Sequence, residues 1–484
     1  MPNALSGLKP ASLWKHFEQI LRIPHCSGCE KSLADYIGAQ AKSLGLSWKK
    51  DKTGNVIVRK PSSPGHENAE TVIFQGHMDM VCEKNSDIKH DFDKDPIEAE
   101  LKNGWIHARG TTLGADNGIG IAACLAMMED ASLVHGPLEF LFTVDEETGL
   151  NGARGLERGA LKGQILLNLD SEEEGTFTIG CAGGAESEIT IPIKRKKSRL
   201  KTAYRLKIGG LRGGHSGIDI NQGRANAIKL LVRILRQAEP KFPLELLRIE
   251  GGNKHNAIPR EAWADFLMDP AKIKGFRSFL DKSAQDIRAE FGSVEKEFLV
   301  MLDEIKSKKE DPMSASSQAG LIAFLLACPH GVLRQHPDIA GLVESSTNLA
   351  ILRCSKSAAE ITCSTRSSVG PALEAARAML KALVDLAGGK AKQPAGYPGW
   401  APNVNSKLLA ALKDVYQKVF GKEALIVAIH AGLECGIIGE KFPGMDMISF
   451  GPTITHPHSP EEGVEIASVE NFWKFLTSSL QALS

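Results

Sequence analysis

Three apolar runs in this 484-residue chain each end in side chains able to hold a metal ion or carry a proton. Leu138 to Val144 runs into Asp145, Glu146 and Glu147, Thr71 to Gln75 runs into Gly76-His-Met-Asp79, and Gln164 to Leu169 runs into Asp170. Short apolar runs bounded by Gly-Pro or Thr-Gly read as buried strands. Adjacent carboxylates at a strand end are costly, because each raises the pKa of the other unless a cation compensates. A metal ion together with a proton-transfer role accounts for them, one of Glu146 and Glu147 ligating and the other moving protons. His77 and Asp79 face the same way if their strand continues, and a metal-bound imidazole needs a carboxylate or carbonyl to orient it. The carboxyl ends of strands in an open α/β sheet line one crevice. Taken singly these acids read as turns and caps; ending three strands together, they point to a metal centre.

Two further positions fit. Asp116 lies in the glycine-rich stretch Thr111 to Gly120, just before a buried helix, where it is an N-cap or a ligand. The closing stretch Ile448 to Pro460 supplies a loop histidine, His456 or His458. Gly118-Ile-Gly120 does not read as a dinucleotide loop, since no continuous strand leads into it and no acid follows at the expected distance. Two imidazoles with three or four carboxylates suffice for two divalent ions and are rich for one catalytic zinc with three protein ligands. A set without thiolate suits zinc, manganese or cobalt. Such a centre lowers the pKa of a bridging water, and a free carboxylate completes its deprotonation and later protonates the leaving amine. No Gly-x-Ser-x-Gly elbow is present and no cysteine has the context of a nucleophile, which favours metal-activated water over covalent catalysis.

Positioning these residues takes more than one core, since the chain exceeds the usual size of a single domain. Apolar residues at three- and four-residue spacing predict helices over 11–22 and 31–44, followed by a strand at Val56–Val58. Composition changes at the basic run Lys194–Lys197, after which Tyr204–Ile208 reads as a strand and 225–238 as a helix. Gly388-Gly389 and the Gly/Pro-rich residues after it punctuate the chain again. The expected division is a catalytic domain in two parts, 1–193 and 395–484, interrupted by an inserted α+β domain, 194–394. Polar candidates in the insert are His215, Asn256 and Arg366.

Lys plus Arg and Asp plus Glu both number 58, so no net field recruits nucleic acid or an acidic membrane. Leu321 to Cys328, the longest apolar run near the middle, is too short to cross a bilayer. The N-terminus lacks the basic and apolar regions of a secretory signal. Nine scattered cysteines suit reduced thiols, and Cys26-Ser-Gly-Cys29 stands without a second pair. A soluble, cytoplasmic protein is expected.

Gly76-His-Met-Asp79, Gly114-Ala-Asp-Asn-Gly118, Asp145-Glu-Glu-Thr-Gly149, Asn168-Leu-Asp170, Gly213-Gly-His-Ser-Gly217 and His458-Ser-Pro460 occur in this order. Together they resemble the signature of the co-catalytic zinc exopeptidases, the superfamily of aminoacylases, carboxypeptidases and dipeptidases. The resemblance implies an α/β fold: a catalytic domain with a mixed central sheet flanked by helices, plus an inserted α+β lid. It also implies two zinc ions. His77 and Asp170 would hold one and Glu147 and His458 the other, with Asp116 between them. Asp79 would orient His77, and Glu146 would be the general base and then acid. His215 would steady the oxyanion, and Asn256 and Arg366 would bind the substrate carboxylate. The implied activity is hydrolysis of unblocked dipeptides, Xaa-His among them, with N-acyl amino-acid deacylase or carboxypeptidase as the alternative. A homodimer through the lid is implied, with His215 acting in its own chain or in its partner's. The roles of His430 and Glu434 stay open.

Overall fold

The computed structural model describes residues 4–306, 310–337 and 339–484. Backbone contacts divide the chain into two units, Met1–Cys181 with Trp400–Ala428 and Leu433–Ser484, and Ala182–Gly399 with Ile429–Gly432. The change of unit at Ala182 comes ahead of the basic run at which composition shifts. Gly183–Pro192 is one long strand paired along its length with Ala358–Ser367, so its partners place it in the second unit. Tyr397 exchanges backbone hydrogen bonds with Gly184, which extends that unit past residue 394.

In the first unit the strands Leu138–Thr143, Val72–His77, Ile165–Asn168 and Asp446–Ser449 lie side by side and parallel. Val56–Lys60 and Ser47–Lys50 continue the sheet antiparallel on one side, and Thr176–Cys181 and Leu425–Ile429 extend it on the other. The sheet is therefore mixed. Val72–His77 and Leu138–Thr143 are buried throughout, which explains why they read as largely apolar runs, broken only by Gln75 and His77 in the first and Glu139 in the second apart from the closing threonine. Helices Ala11–Ile20 and Lys31–Ser43 bury the expected stripe, including Leu13, Phe17, Ile20, Leu33 and Ile37. Helix Ala115–Glu129 is buried from Ala115 to Met128, and that is why it is apolar all round.

Phe74 stacks on Phe140 from the neighbouring strand with ring centroids 5.6 Å apart, both rings fully buried under the site-bearing strand ends. Phe74→Ala is expected to destabilise the protein by about 3–5 kcal/mol through the cavity it leaves. Chemical denaturation followed by tryptophan fluorescence checks this, and a loss below about 1 kcal/mol would show that the site collapses to refill the space.

The second unit is built on a nine-stranded sheet whose pairings are antiparallel. Helix Ala227–Ala238 covers it with Ile228, Leu231, Val232 and Leu235. This helix begins after the sequence expectation of 225 because Asn226 caps it, its Oδ1 accepting from the N–H of Ile228 at 2.9 Å and of Lys229 at 3.3 Å. Among the described residues no helix is long and apolar enough to cross a membrane.

One expectation is overturned. Cys26 is not a free thiol: it is joined to Cys82, with Cα atoms 5.7 Å apart. The cause is tertiary, since Cys26 bridges Met80 in parallel register and the loop carrying it lies along the chain leaving Val72–His77. Cys29 remains free and exposed, and the other free cysteines, Cys124 among them, are buried.

Candidate metal centre

The strand ends deliver their side chains to one place. His77, the last residue of its strand, puts Nε2 3.1 Å from Asp116 Oδ1 and 3.1 Å from Asp170 Oδ1. His458 puts Nε2 2.8 Å from Glu147 Oε1 and 3.3 Å from Asp116 Oδ2. Asp116 thus faces a different imidazole with each oxygen. Two groups of possible ligands result, His77–Asp116–Asp170 and Asp116–Glu147–His458, with the ligand atoms of each within 4.8 Å of one another. Glu146 falls in a third group with His77 and Glu147.

Local backbone geometry makes this possible. Asp116 and Asn117 at the start of helix Ala115–Glu129 are not helical, with Asp116 at φ −82° and ψ 108°, and the residue before the helix, Gly114, has no side chain to cap it. Asp116 is therefore turned away from the capping position that its sequence context offered. The strand before Glu146 ends at Thr143, and Asp145 turns the chain at φ 53°, its carboxylate accepting from Thr148 Oγ1 and Asn151 Nδ2. That turn sends Glu146 and Glu147 onward as independent groups. His458 also lies at positive φ, 61°, and of the two loop histidines it is the one that meets the acids.

Asp79 relates to His77 differently from the expected same-face pairing. The strand stops at His77, whose Nδ1 is 2.9 Å from the backbone carbonyl of Asp79 and 3.5 Å from its carboxylate. The carboxylate instead accepts from the N–H of Glu146 at 2.9 Å, the N–H of Glu147 at 3.2 Å and Ser27 Oγ at 2.8 Å. Asp79 therefore fixes the imidazole and the acidic turn at once. Burial opposes its charge, yet the His77 and backbone hydrogen bonds hold it down at about 2.

The electrostatics test whether a cation fits. Burial lifts Asp170 to about 6, with Asp116 and Glu147 adding to it, and burial with neighbouring carboxylates pushes Glu146 well above the usual range. His458 is raised to about 11 by its hydrogen bonds to Asp116 and Glu147. Asp170 and Glu146 driven up beside imidazoles driven up mark a pocket crowded with carboxylates, while Asp116, between the two imidazoles, is held low. The buried oxygens Glu147 Oε1 and Asp170 Oδ1 each face an imidazole nitrogen, at 2.8 Å from His458 Nε2 and 3.1 Å from His77 Nε2. An oxygen and imidazole set of this kind suits two divalent cations sharing Asp116.

In the second unit His215 Nδ1 accepts from the N–H of Gly217 at 3.3 Å and of Ile218 at 3.2 Å. Burial and the Arg366 charge hold the imidazole at about 4, so it is neutral and its proton resides on Nε2. Nε2 lies 3.4 Å from Arg366 Nη2, while Arg366 Nη1 donates to Tyr397 Oη at 2.9 Å. Two donors side by side call for an acceptor shared between them. Asn256 is exposed and joins His215 through the backbone, its carbonyl accepting from Ser216 N–H at 2.8 Å. His430, left open by the sequence, places Nε2 2.7 Å from Ser346 Oγ in this unit.

Three acids near the centre were not assigned from sequence. Glu172, lifted to about 8 by burial and then by Asp116 and Asp170, could have been noticed two residues beyond Asp170. Glu434 is fully buried, accepting from Gln75 Nε2 and Thr143 Oγ1 at 2.6 Å each. Gln75 in turn accepts from Asn168 Nδ2 at 2.6 Å, so this chain ties the three strands beneath the site. Glu462 lies in Pro460-Glu-Glu-Gly463, which reads as solvated surface, and nothing in the sequence marks it.

With this geometry in view, comparisons become informative. Residues 73–482 match the model of peptidase family M20/M25/M40. The chain is 42% identical over 483 residues to the cytosol non-specific dipeptidase of Escherichia coli K12, covering 99% of both proteins. It superposes on the crystal structure of aminoacylhistidine dipeptidase from Vibrio alginolyticus with a TM-score of 0.92 and 41% identity, covering 99% of this chain and 98% of that one. An aminopeptidase of Bacillus cereus shares the fold at a TM-score of 0.58 and 16% identity, with 98% and 99% covered. The chain belongs to peptidase family M20/M25/M40.

Proposed function

We propose that this peptide hydrolase is a two-metal dipeptidase that cleaves unblocked dipeptides, Xaa-His among them. One observation carries the chemistry: Asp116 faces both His77 and His458, so the acids converge as two cation subsites around one shared carboxylate. The substrate class is supported by relatives covering nearly the full length of both chains, one named a non-specific dipeptidase and one an aminoacylhistidine dipeptidase.

In this reading His77 and Asp170 would hold one ion and Glu147 and His458 the other, with Asp116 shared between the two groups. Zinc is the first choice, with cobalt or manganese also compatible with the ligands. When bound, the ions would polarise the scissile carbonyl and lower the pKa of the attacking water. Glu146 takes the proton of that water and passes it to the leaving amine. Asp79 keeps the His77 ring and the Glu146 turn in register. His215, as a neutral Nε2 donor, steadies the oxyanion, and Arg366 with Asn256 takes the substrate carboxylate. A homodimer formed through the second unit and a cytoplasmic location belong to the same reading.

The test is the hydrolysis rate of the zinc-loaded protein on an Xaa-His dipeptide and on its N-acetylated form. Cleavage of the free dipeptide, with the acetylated one at least about 100-fold slower, is expected, since a pocket that reads a charged amine leaves polar groups unpaired when it is blocked. Preference for the acetylated form would make the protein a deacylase with the same centre.

A further inference from the structure

Glu462 stands four residues beyond His458 and is almost fully buried. Its Oε2 accepts from the N–H of Leu113 at 2.7 Å and of Gly114 at 3.0 Å, and its Oε1 from Ala115 at 2.8 Å and Asp116 at 3.3 Å. One carboxylate thus binds four consecutive peptide N–H groups of the turn that presents Asp116. Two of them, on Ala115 and Asp116, are donors that the first turn of a helix leaves unmet, and no side chain of the turn itself caps the helix. Glu462 is itself fixed on two further sides. Its N–H donates to Ser459 carbonyl at 3.0 Å, closing the turn that follows His458, and its carbonyl is 3.0 Å from His107 Nδ1 on strand Trp105–Ala108.

Asp116 and His458 are far apart in sequence, and each sits on irregular backbone. We propose that Glu462 is a positioning residue that clamps the Leu113–Asp116 backbone to the His458 turn and so sets the spacing of Asp116 and His458. This rests on the metal-centre reading above. Glu462 lies outside the groups of possible ligands. It acts through the backbone of one ligand and the turn of another, and loss of such supporting contacts typically weakens metal affinity or activity about 10–100-fold.

Glu462→Gln keeps the volume and one acceptor oxygen but turns an NH₂ group toward two peptide N–H donors, so one half of the clamp becomes donor against donor. Cobalt(II) titration of the apoprotein, followed by visible absorption against a competing chelator, is expected to give two ions in the wild type. In Glu462→Gln one of them should bind about 10–100-fold more weakly with a changed absorption band. Glu461→Gln, altering the exposed neighbour, should match the wild type in both. A Glu462→Gln protein with wild-type affinities and spectrum overturns the proposal. If that variant does not fold, amide exchange of the wild type decides. Leu113 to Ala115 should exchange slowly even without metal, and exchange as fast as an exposed loop overturns the clamp. A wild type that binds no cobalt sinks the metal-centre reading instead, which separates the two failures.

Discussion

Glu146→Gln is expected to retain close to the wild-type metal content while lowering kcat by about 10²–10⁴-fold, the usual contribution of a general acid–base group. The side chains are nearly isosteric, but the amide cannot take a proton from water. The turn should not move, because the Glu146 peptide N–H, not its side chain, is bonded to Asp79 at 2.9 Å. The proposed ion subsites are also complete without Glu146, since His77, Asp116, Asp170, Glu147 and His458 already form both groups. Metal analysis alongside kcat on a dipeptide checks both halves. Activity within threefold of wild type removes Glu146 from the base role, and lost metal makes it a ligand.

Much of this was legible because burial on both faces of a parallel sheet writes itself into sequence as largely apolar runs. Val72–His77, Leu138–Thr143 and Ile165–Asn168 were each readable from composition, and the acids at their ends followed. The order in which those strands lie was not readable, since Asp446–Ser449 joins Ile165–Asn168 from the far end of the chain. Asp79 illustrates a subtler limit. The spacing to His77 suggested partnership, but whether the carbonyl or the carboxylate would face the imidazole depends on where the strand stops. The Cys26–Cys82 link and the Glu462 clamp were invisible for one reason: each joins segments whose proximity is decided by tertiary packing. Exposed-looking acids such as Glu461 and Glu462 are indistinguishable as letters. Only the four N–H groups facing one of them make it a structural element.

Asp116→Ala is expected to have the broadest effect, taking metal and activity away together. The competing role for an aspartate at this position is a helix cap, whose loss costs about 1 kcal/mol and leaves bound metal untouched. The geometry opposes that role, because both oxygens point at imidazoles and none at the helix N–H groups, which Glu462 already satisfies. Removing the carboxylate deletes a ligand from both proposed subsites, so metal content should drop from two ions to below one per chain. In the apoprotein the Asp116 carboxylate is held low by the imidazoles of His77 and His458, so its removal should also cost apo stability, although it relieves some repulsion on Asp170 and Glu172. Because an ion that binds only the folded state stabilises it in proportion to its affinity, zinc should raise Tm in the wild type and do so far less in Asp116→Ala. A variant that keeps two tightly bound ions and loses only the small increment of a missing cap would return Asp116 to the ordinary role its sequence context suggested.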